Sequence, residues 1–429
     1  MRILLANSLA VIFLCACASV FYVWTGLERA LGRYKRGLGE PRSSGFRDQL
    51  GDLSRKTFRA LLAMPGAQRP HLGDSDNTNN FTGRGYFAGT LTYGKQPGLN
   101  VSNSGAMKEV PIRLSDLVED GVFWNDRMDA LLSAGFSEAH AQTWRQRARA
   151  SRVVSLEPGC GRTSNRLARF SDGTKACVRY GINADQVLGE TLSYYLASLL
   201  GIANLPPLAL SQVSPSSEQW ATVKEDMADL QWSDKAVVSL TEWVANLTGV
   251  VTPAPLRQEG RGLNPLRADL DNRTLGELQE LVQWTDLIVF DYLTANFDRL
   301  VSNLFSLQWD SRVMERDTNN LLKSPAGDLV FIDNEAGLVH GYRVLHMWEQ
   351  YHKTLLSSVC LFRKRTASRI IEMHQKRDAP SRLLGLYQDS ESLAPVLGFL
   401  SDEQAGVLQE RIDYLYKHIL NCKRTYSQL

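Results

Sequence analysis

The sequence predicts an α+β fold, a small strand-rich lobe followed by a large helical one. Three observations carry this. Short apolar segments crowd residues 152–244, an Asp-Gly turn separates two of them, and a long helical apolar period fills residues 275–295. Strands precede helices instead of alternating with them, which separates α+β from α/β. The 429 residues are 44% apolar and 22% charged, enough apolar surface for a packed core, so the chain is not disordered overall. The 48 basic and 46 acidic side chains leave a net charge of +2 with no basic stripe, which excludes a nucleic-acid partner.

The only long uncharged run is Ile3 to Trp24. As a helix it would be about 33 Å long, enough for one bilayer span. Ala16-Cys17-Ala18 offers a small-x-small cleavage site. The apolar character nevertheless continues to Trp24, so a single membrane anchor is the reading adopted. Arg29, Arg33, Lys35 and Arg36 follow the run, and the positive-inside rule alone would leave the body in the cytosol. Two features oppose that. Asn80, Asn100, Asn246 and Asn272 each head an N-x-[ST] glycosylation sequon. The four cysteines beyond the run, Cys160, Cys177, Cys360 and Cys422, form an even set suited to disulfides in a lumen. The body is therefore expected in the secretory lumen.

Residues 26–114 read as a stem. Between Pro65 and Val110 there are eight glycines and no sustained helical period. A short amphipathic helix is expected within it at Leu53–Met64.

The body follows. Phe136–Ala150 is a helix with Ser137 as N-cap. Arg152–Glu157, Leu167–Phe170 and Ala176–Tyr180 are strands, the last two joined through Asp172-Gly173. Ala184–Leu200 is a helix closed by Gly201. Leu205–Val213 and Val237–Val244 are strand-like. A Pro/Gly/Arg-rich loop, residues 252–272, leads into the helix Leu275–Ala295. Leu304–Trp309 and Asp328–Asp333 are strand candidates, and the last hundred residues read as helical.

The chain lacks G-x-S-x-G, H-E-x-x-H and the P-loop signature. His340, His346 and His352 are spaced by six, which does not stack them on one helix face, so no zinc site is expected. What remains is an ordered set of parts. The glycine turn Gly159-Cys160-Gly161 lets backbone N–H groups approach phosphates. Arg179 or Lys175 offers a cation on the following strand. Glu190, on the next helix, is placed to pair with it. Asp298 with Asn303 supplies a base and a metal-holding amide at the spacing phosphoryl transfer uses. Asp333 ends an apolar strand before Asn334-Glu335-Ala336-Gly337, where a carboxylate can bridge metal to phosphates. Each part has an ordinary reading as a turn, a solvated charge or an Asx cap. Asp74/Asn79, Asp120/Asn125 and Asp291/Asn296 share the Asp-Asn spacing without the strand context. The order as a whole points to an ATP-dependent kinase.

Four stretches resemble the four-jointed family. They are Gly159–Arg162, Cys177–Gly181, Gln283–Leu293 and Phe331–Gly337, and the likeness runs from about residue 115 to near the C-terminus. Asn296-Phe297-Asp298-Arg299 also resembles the N-x-D-R motif of Golgi casein kinase. The resemblance implies a two-lobed, atypical protein-kinase-like fold. Its segments would be a cytoplasmic stub and signal anchor at 1–25, the luminal stem at 26–114 and a kinase domain at 115–429, with lobes at about 115–245 and 246–429. It implies a type II Golgi protein, sometimes cleaved and secreted, that uses ATP with Mn²⁺ or Mg²⁺. Its substrates would be Ser or Thr in the cadherin repeats of Fat- and Dachsous-type protocadherins, tuning planar polarity and growth signalling. By motif, Asp298 is the base, Asp333 binds metal and Glu190 is the helix glutamate. Arg179 departs from the lysine expected on its strand, and Asn303 departs from the acidic residue of Golgi casein kinase. The resemblance pairs Cys360 with Cys422, leaving Cys160 with Cys177. A non-catalytic binding protein on the same scaffold is the alternative, and the Arg-for-Lys departure feeds it.

Overall fold

A computed structural model describes residues 117–426, apart from 182, 258–261, 267–269 and 271–272. The anchor, the stem with its Leu53–Met64 helix, and the sequons at Asn80, Asn100 and Asn272 lie outside the described residues. Among the described residues no helix is long and apolar enough to cross a membrane.

The first elements are β1 (Val118–Glu119), β2 (Phe123–Trp124), α1 (Asp126–Leu131) and α2 (Glu138–Ala150). Helix α2 starts where expected, because the Ser137 side chain accepts from the His140 N–H. Next come β3 (Val153–Pro158), β4 (Arg166–Phe170), β5 (Lys175–Arg179), α3 (Ala184–Leu200), β6 (Leu208–Gln212), α4 (Lys224–Asp229) and β7 (Val237–Glu242). Five of these strands form an antiparallel sheet in the order β3-β4-β5-β7-β6. One face packs on α2, where Trp144, Phe170, Val178, Trp220 and Leu240 share a core.

The helical part contains β8 (Thr248–Val251), α5 (Leu275–Thr294), α6 (Leu300–Ser306), β9 (Asp317–Lys323), β10 (Leu329–Phe331), α7 (Val339–Arg343) and α8 (Leu345–Ser357). It ends with β11 (Phe362–Arg363), α9 (Lys364–Lys376), α10 (Ala379–Ser390), α11 (Ala394–Leu397) and α12 (Asp402–Tyr426). Helix α5 opens on a capping box between Thr274 and Glu277. Its residues 281–294 are all buried, which makes it the spine of this part. Strands β8, β9 and β10 form a small antiparallel sheet. The α+β expectation therefore holds.

One element differs. Leu304–Trp309, expected as a strand, lies in α6 and the turn after it. Leu300, Val301, Leu304 and Phe305 recur at a helical spacing, with Leu300, Val301 and Phe305 buried. The Ser302 N–H reaches back to the Phe297 carbonyl, nucleating the helix directly after the Asp298 turn. Strand β9 was not anticipated, because its sequence Asp-Thr-Asn-Asn-Leu-Leu-Lys is polar at one end and needs β8 and β10 on either side to hold it.

Candidate active site

The glycine turn, β5, α3 and the loop after β10 converge. Cys160 and Gly161 adopt positive φ (62° and +83°), and a Cβ on Gly161 would stand 3.9 Å from Asp333 Oδ2. The turn thus lies over Asp333, with a Cβ on Gly161 in ordinary van der Waals reach of its carboxylate. A disulfide between Cys160 and Cys177, with Cα atoms 5.7 Å apart, fastens the turn to β5.

Arg179, the last residue of β5, is buried among three carboxylates, each taking a different guanidinium nitrogen. Nη2 lies 2.9 Å from Asp333 Oδ1, Nη1 donates to Glu335 Oε2, and Nε lies 3.7 Å from Glu190 Oε2. Glu335 also takes Arg162 Nη2 at 2.6 Å and Gln186 Nε2 at 3.3 Å. Burial pushes the Glu190 carboxyl up to about 7 against the pull of Arg179. Burial alone would lower the pKa of Arg179, but Asp333, Glu190 and Glu335 outweigh it and hold the guanidinium firmly charged. Arg179 therefore pairs with Glu190 across β5 and α3 as the sequence order suggested, and two further carboxylates share it. Lys175, the other candidate cation, sits at the opposite end of the strand.

Gly189 makes this convergence possible. A Cβ there would fall 2.8 Å from the Glu335 carbonyl and 2.9 Å from that of Gly337. Only glycine lets α3 lie against the loop that carries Asp333 and Glu335. Gly189→Ala is expected to cost about 1–3 kcal/mol by overpacking, read as a lowered urea midpoint. It should also push Glu190 away from Arg179.

Asp298 follows α5 in a short turn. Its N–H donates to Asn296 Oδ1 at 3.0 Å, and its Oδ2 accepts from Asn320 Nδ2 at 3.0 Å. Burial, then the Asp333 charge, pushes its carboxyl up to about 6. Arg299, fully buried, knots the region together. It donates to Asp291 Oδ1 at 2.5 Å, to the carbonyls of Asn320 (3.1 Å) and Ile332 (3.0 Å), and to Asn334 Oδ1. The Asp291/Asn296 pair, a coincidence of spacing by the sequence, is thus part of the scaffold that holds Asp298. Asn303 is buried in α6, one turn beyond Arg299, and does not line the cavity described next.

A cavity of about 290 Å³ opens between the strand-rich and helical parts. Leu205, Leu208, Val244, Leu247, Leu322 and Phe331 give it apolar walls, and Arg179, Glu190 and Asp333 give it a charged region. That combination suits a flat apolar base joined to phosphates. Asn320 lines the cavity and donates to Asp298, which is not itself a lining residue. Asn320, Glu335, Arg162 and Arg299 had no assigned role from sequence; Glu335, Arg162 and Arg299 lay inside quoted motifs, whereas nothing marked Asn320.

The carboxylates fit a divalent cation. Asp298, Glu190, Asp333 and Glu335 outnumber the cations Arg179, Arg162 and Arg299 beside them. Asp333 Oδ1 and Glu190 Oε2 are buried and face Arg179 at 2.9 and 3.7 Å without a well-formed hydrogen bond, so a cation entering the site would compete with that guanidinium for both atoms. Elsewhere, Cys360, His418 and Cys422 bring their donor atoms within 4.8 Å of one another, but a Cys360–Cys422 disulfide occupies both sulfurs. Of the sequons, Asn246 is described and is exposed.

Residues 139–425 match the family described as the four-jointed box protein middle domain. Four-jointed box protein 1 of Xiphophorus maculatus is 61% identical over 430 residues, covering all of both chains. The extracellular serine/threonine protein kinase four-jointed of Drosophila melanogaster is 36% identical over 359 residues, 71% of this chain and 61% of that one. Among solved structures, Golgi casein kinase with Mn/ADP bound superimposes with a TM-score of 0.47 at 13% identity, covering 82% of this chain and 94% of that chain. With its middle domain matched and its full length aligned at this identity, the chain belongs to the four-jointed family.

Proposed function

We propose that the protein is a Golgi-lumen serine/threonine kinase. It would use ATP with Mn²⁺ or Mg²⁺ and phosphorylate cadherin repeats of Fat- and Dachsous-type protocadherins. The single observation that carries the reading is the Arg179–Glu190–Asp333 cluster opening into an apolar-walled cavity, with Asp298 hydrogen-bonded to Asn320 of its wall. Residues 1–25 serve as the anchor, 26–114 as the stem and 115–429 as the catalytic body, which is luminal and released when the stem is cut. Glycans on Asn80, Asn100, Asn246 and Asn272 belong to the same reading.

Asp298 accepts the proton of the acceptor hydroxyl at a carboxylate oxygen, while Asn320 orients that carboxylate. Arg179 balances phosphate charge, held in place by Glu190 and Glu335. The glycine turn covers the phosphates and excludes water. Asp333 and Glu190 would hold the metal, whereas Asn303, buried in α6 and off the cavity lining, is dropped from that set. The metal, when bound, neutralises charge developing on the transferred phosphoryl group.

The test incubates the full chain with labelled ATP, Mn²⁺ and recombinant cadherin repeats. Incorporation that Asp333→Ala abolishes is expected; incorporation surviving that change, or none at all, defeats the reading. A non-catalytic binding protein is the second reading, favoured by the tight seating of Arg179 among the carboxylates that would otherwise hold metal. Nucleotide that fails to raise the melting temperature of the folded chain would select it.

A further inference from the structure

Helix α5 launches the turn that carries Asp298, and its last carbonyls run out of donors within the helix. Each is met from outside. The Tyr292 carbonyl accepts from Arg411 Nε at 2.6 Å, and that of Leu293 from the Tyr342 hydroxyl at 2.6 Å. The Thr294 carbonyl accepts from the Leu338 N–H at 2.5 Å, and that of Ala295 from His352. The side-chain donors belong to α7 (Tyr342), α8 (His352) and α12 (Arg411), and all three are buried. Arg411 also donates to Glu349 Oε2 on α8 at 2.5 Å and lies 4.0 Å above the Tyr292 ring. His352 Nε2 has no hydrogen-bonding partner among the described residues, so Nδ1 carries the proton that Ala295 accepts. Burial, then the Arg411 charge, holds the pKa of His352 well below 6.5 and keeps the ring neutral with that one donor. Gly341 lets α7 approach: a Cβ there would stand 2.5 Å from the Ala295 carbonyl oxygen.

We infer that Tyr342, His352 and Arg411 are positioning residues of the catalytic turn: they clamp the end of α5 from three helices and so fix where Asp298 stands. The inference rests on the kinase reading, which makes Asp298 the base. Ala295, the last residue clamped, takes the left-handed conformation (φ 52°), and Asn296 Oδ1 then accepts the Asp298 N–H at 3.0 Å. Asp298 therefore follows any shift of the helix end. A left-handed residue and solvent are enough to close an ordinary helix. Burying a guanidinium and an imidazole there is costly unless their donors are used. Here they are used on the carbonyls nearest the turn, and the Arg411 charge also suits the negative end of the helix dipole.

The full chain is compared with Tyr342→Phe, His352→Leu and His352→Asn, using labelled ATP, Mn²⁺ and recombinant cadherin repeats. Tyr342→Phe and His352→Leu are expected to lower kcat about 10- to 100-fold, the scale of a displacement near 1 Å, with KM for ATP within about twofold. Asparagine places an N–H close to where Nδ1 stood, so His352→Asn should recover most of the rate. Hydrogen exchange below the melting temperature gives a readout independent of turnover. Amides of residues 296–299 should exchange faster in Tyr342→Phe and His352→Leu but not in His352→Asn, while those of β3 to β5 stay unchanged. A rate unchanged in both Tyr342→Phe and His352→Leu, a rise in KM for ATP in place of the fall in kcat, or asparagine no better than leucine overturns the inference. If His352→Leu does not fold, Tyr342→Phe, which removes a single oxygen, decides by the same criteria. If the unsubstituted chain transfers no phosphate, the kinase reading falls and exchange decides. Unchanged protection at 296–299 then overturns the inference, and faster exchange there upholds the clamp on Asp298.

Discussion

Asp298→Asn is expected to lower phosphotransfer by about 10²–10⁴-fold, the contribution of a positioned general base, while nucleotide binding persists. The amide is isosteric and its oxygen can still accept from Asn320, so a loss of rate would not reflect a loss of fold. On the kinase reading proposed above, the ionised form of Asp298 would be the active one. With its carboxyl pushed up to about 6, kcat for the unsubstituted chain should fall as pH drops through about 6. Stability runs the opposite way. The folded carboxyl lies above its ordinary value of 3.8, so the folded chain keeps a proton that the unfolded chain releases between those values. The fold therefore loses stability as pH rises from about 4 to about 6. Asp298→Asn removes that penalty, and the variant should be more stable at pH 7 by about 1–3 kcal/mol. Calorimetry at pH 4 and pH 7 checks it: a variant no more stable at pH 7 would mean that the buried charge is compensated elsewhere.

The second large effect is on the fold itself. Arg299→Ala should cost roughly 3–5 kcal/mol, because it leaves Asp291 buried without its counter-charge. Burial already pushes the Asp291 carboxyl up to about 7 even beside Arg299. The same deletion strips donors from two carbonyls and from Asn334 Oδ1, so the Asp298 turn, β9 and the Asp333 loop lose their shared tie. Lysine should not rescue it, since an ammonium cannot reach four acceptors in one plane. Asp291→Asn combined with Arg299→Met should unfold at higher denaturant than Arg299→Ala alone. A double variant no better than the single one would show that the backbone ties, not the charge pair, dominate.

Local chemistry was legible in the sequence wherever a few neighbouring residues decide conformation. The Asp172-Gly173 turn, the Ser137 cap, the Gly201 stop and the apolar period of α5 each needed only their own neighbours. The order of chemical parts was legible for the same reason, because motifs are local. Tertiary structure alone decided three matters. It turned Leu304–Trp309 into helix, since an apolar run fits either period until its packing partners are known. It placed Glu335 and Asp333 with Glu190 around Arg179, contacts spanning up to 156 residues that no spacing encodes. It also made Arg299 structural and left Trp309 on the surface, because burial is a property of the whole packed chain.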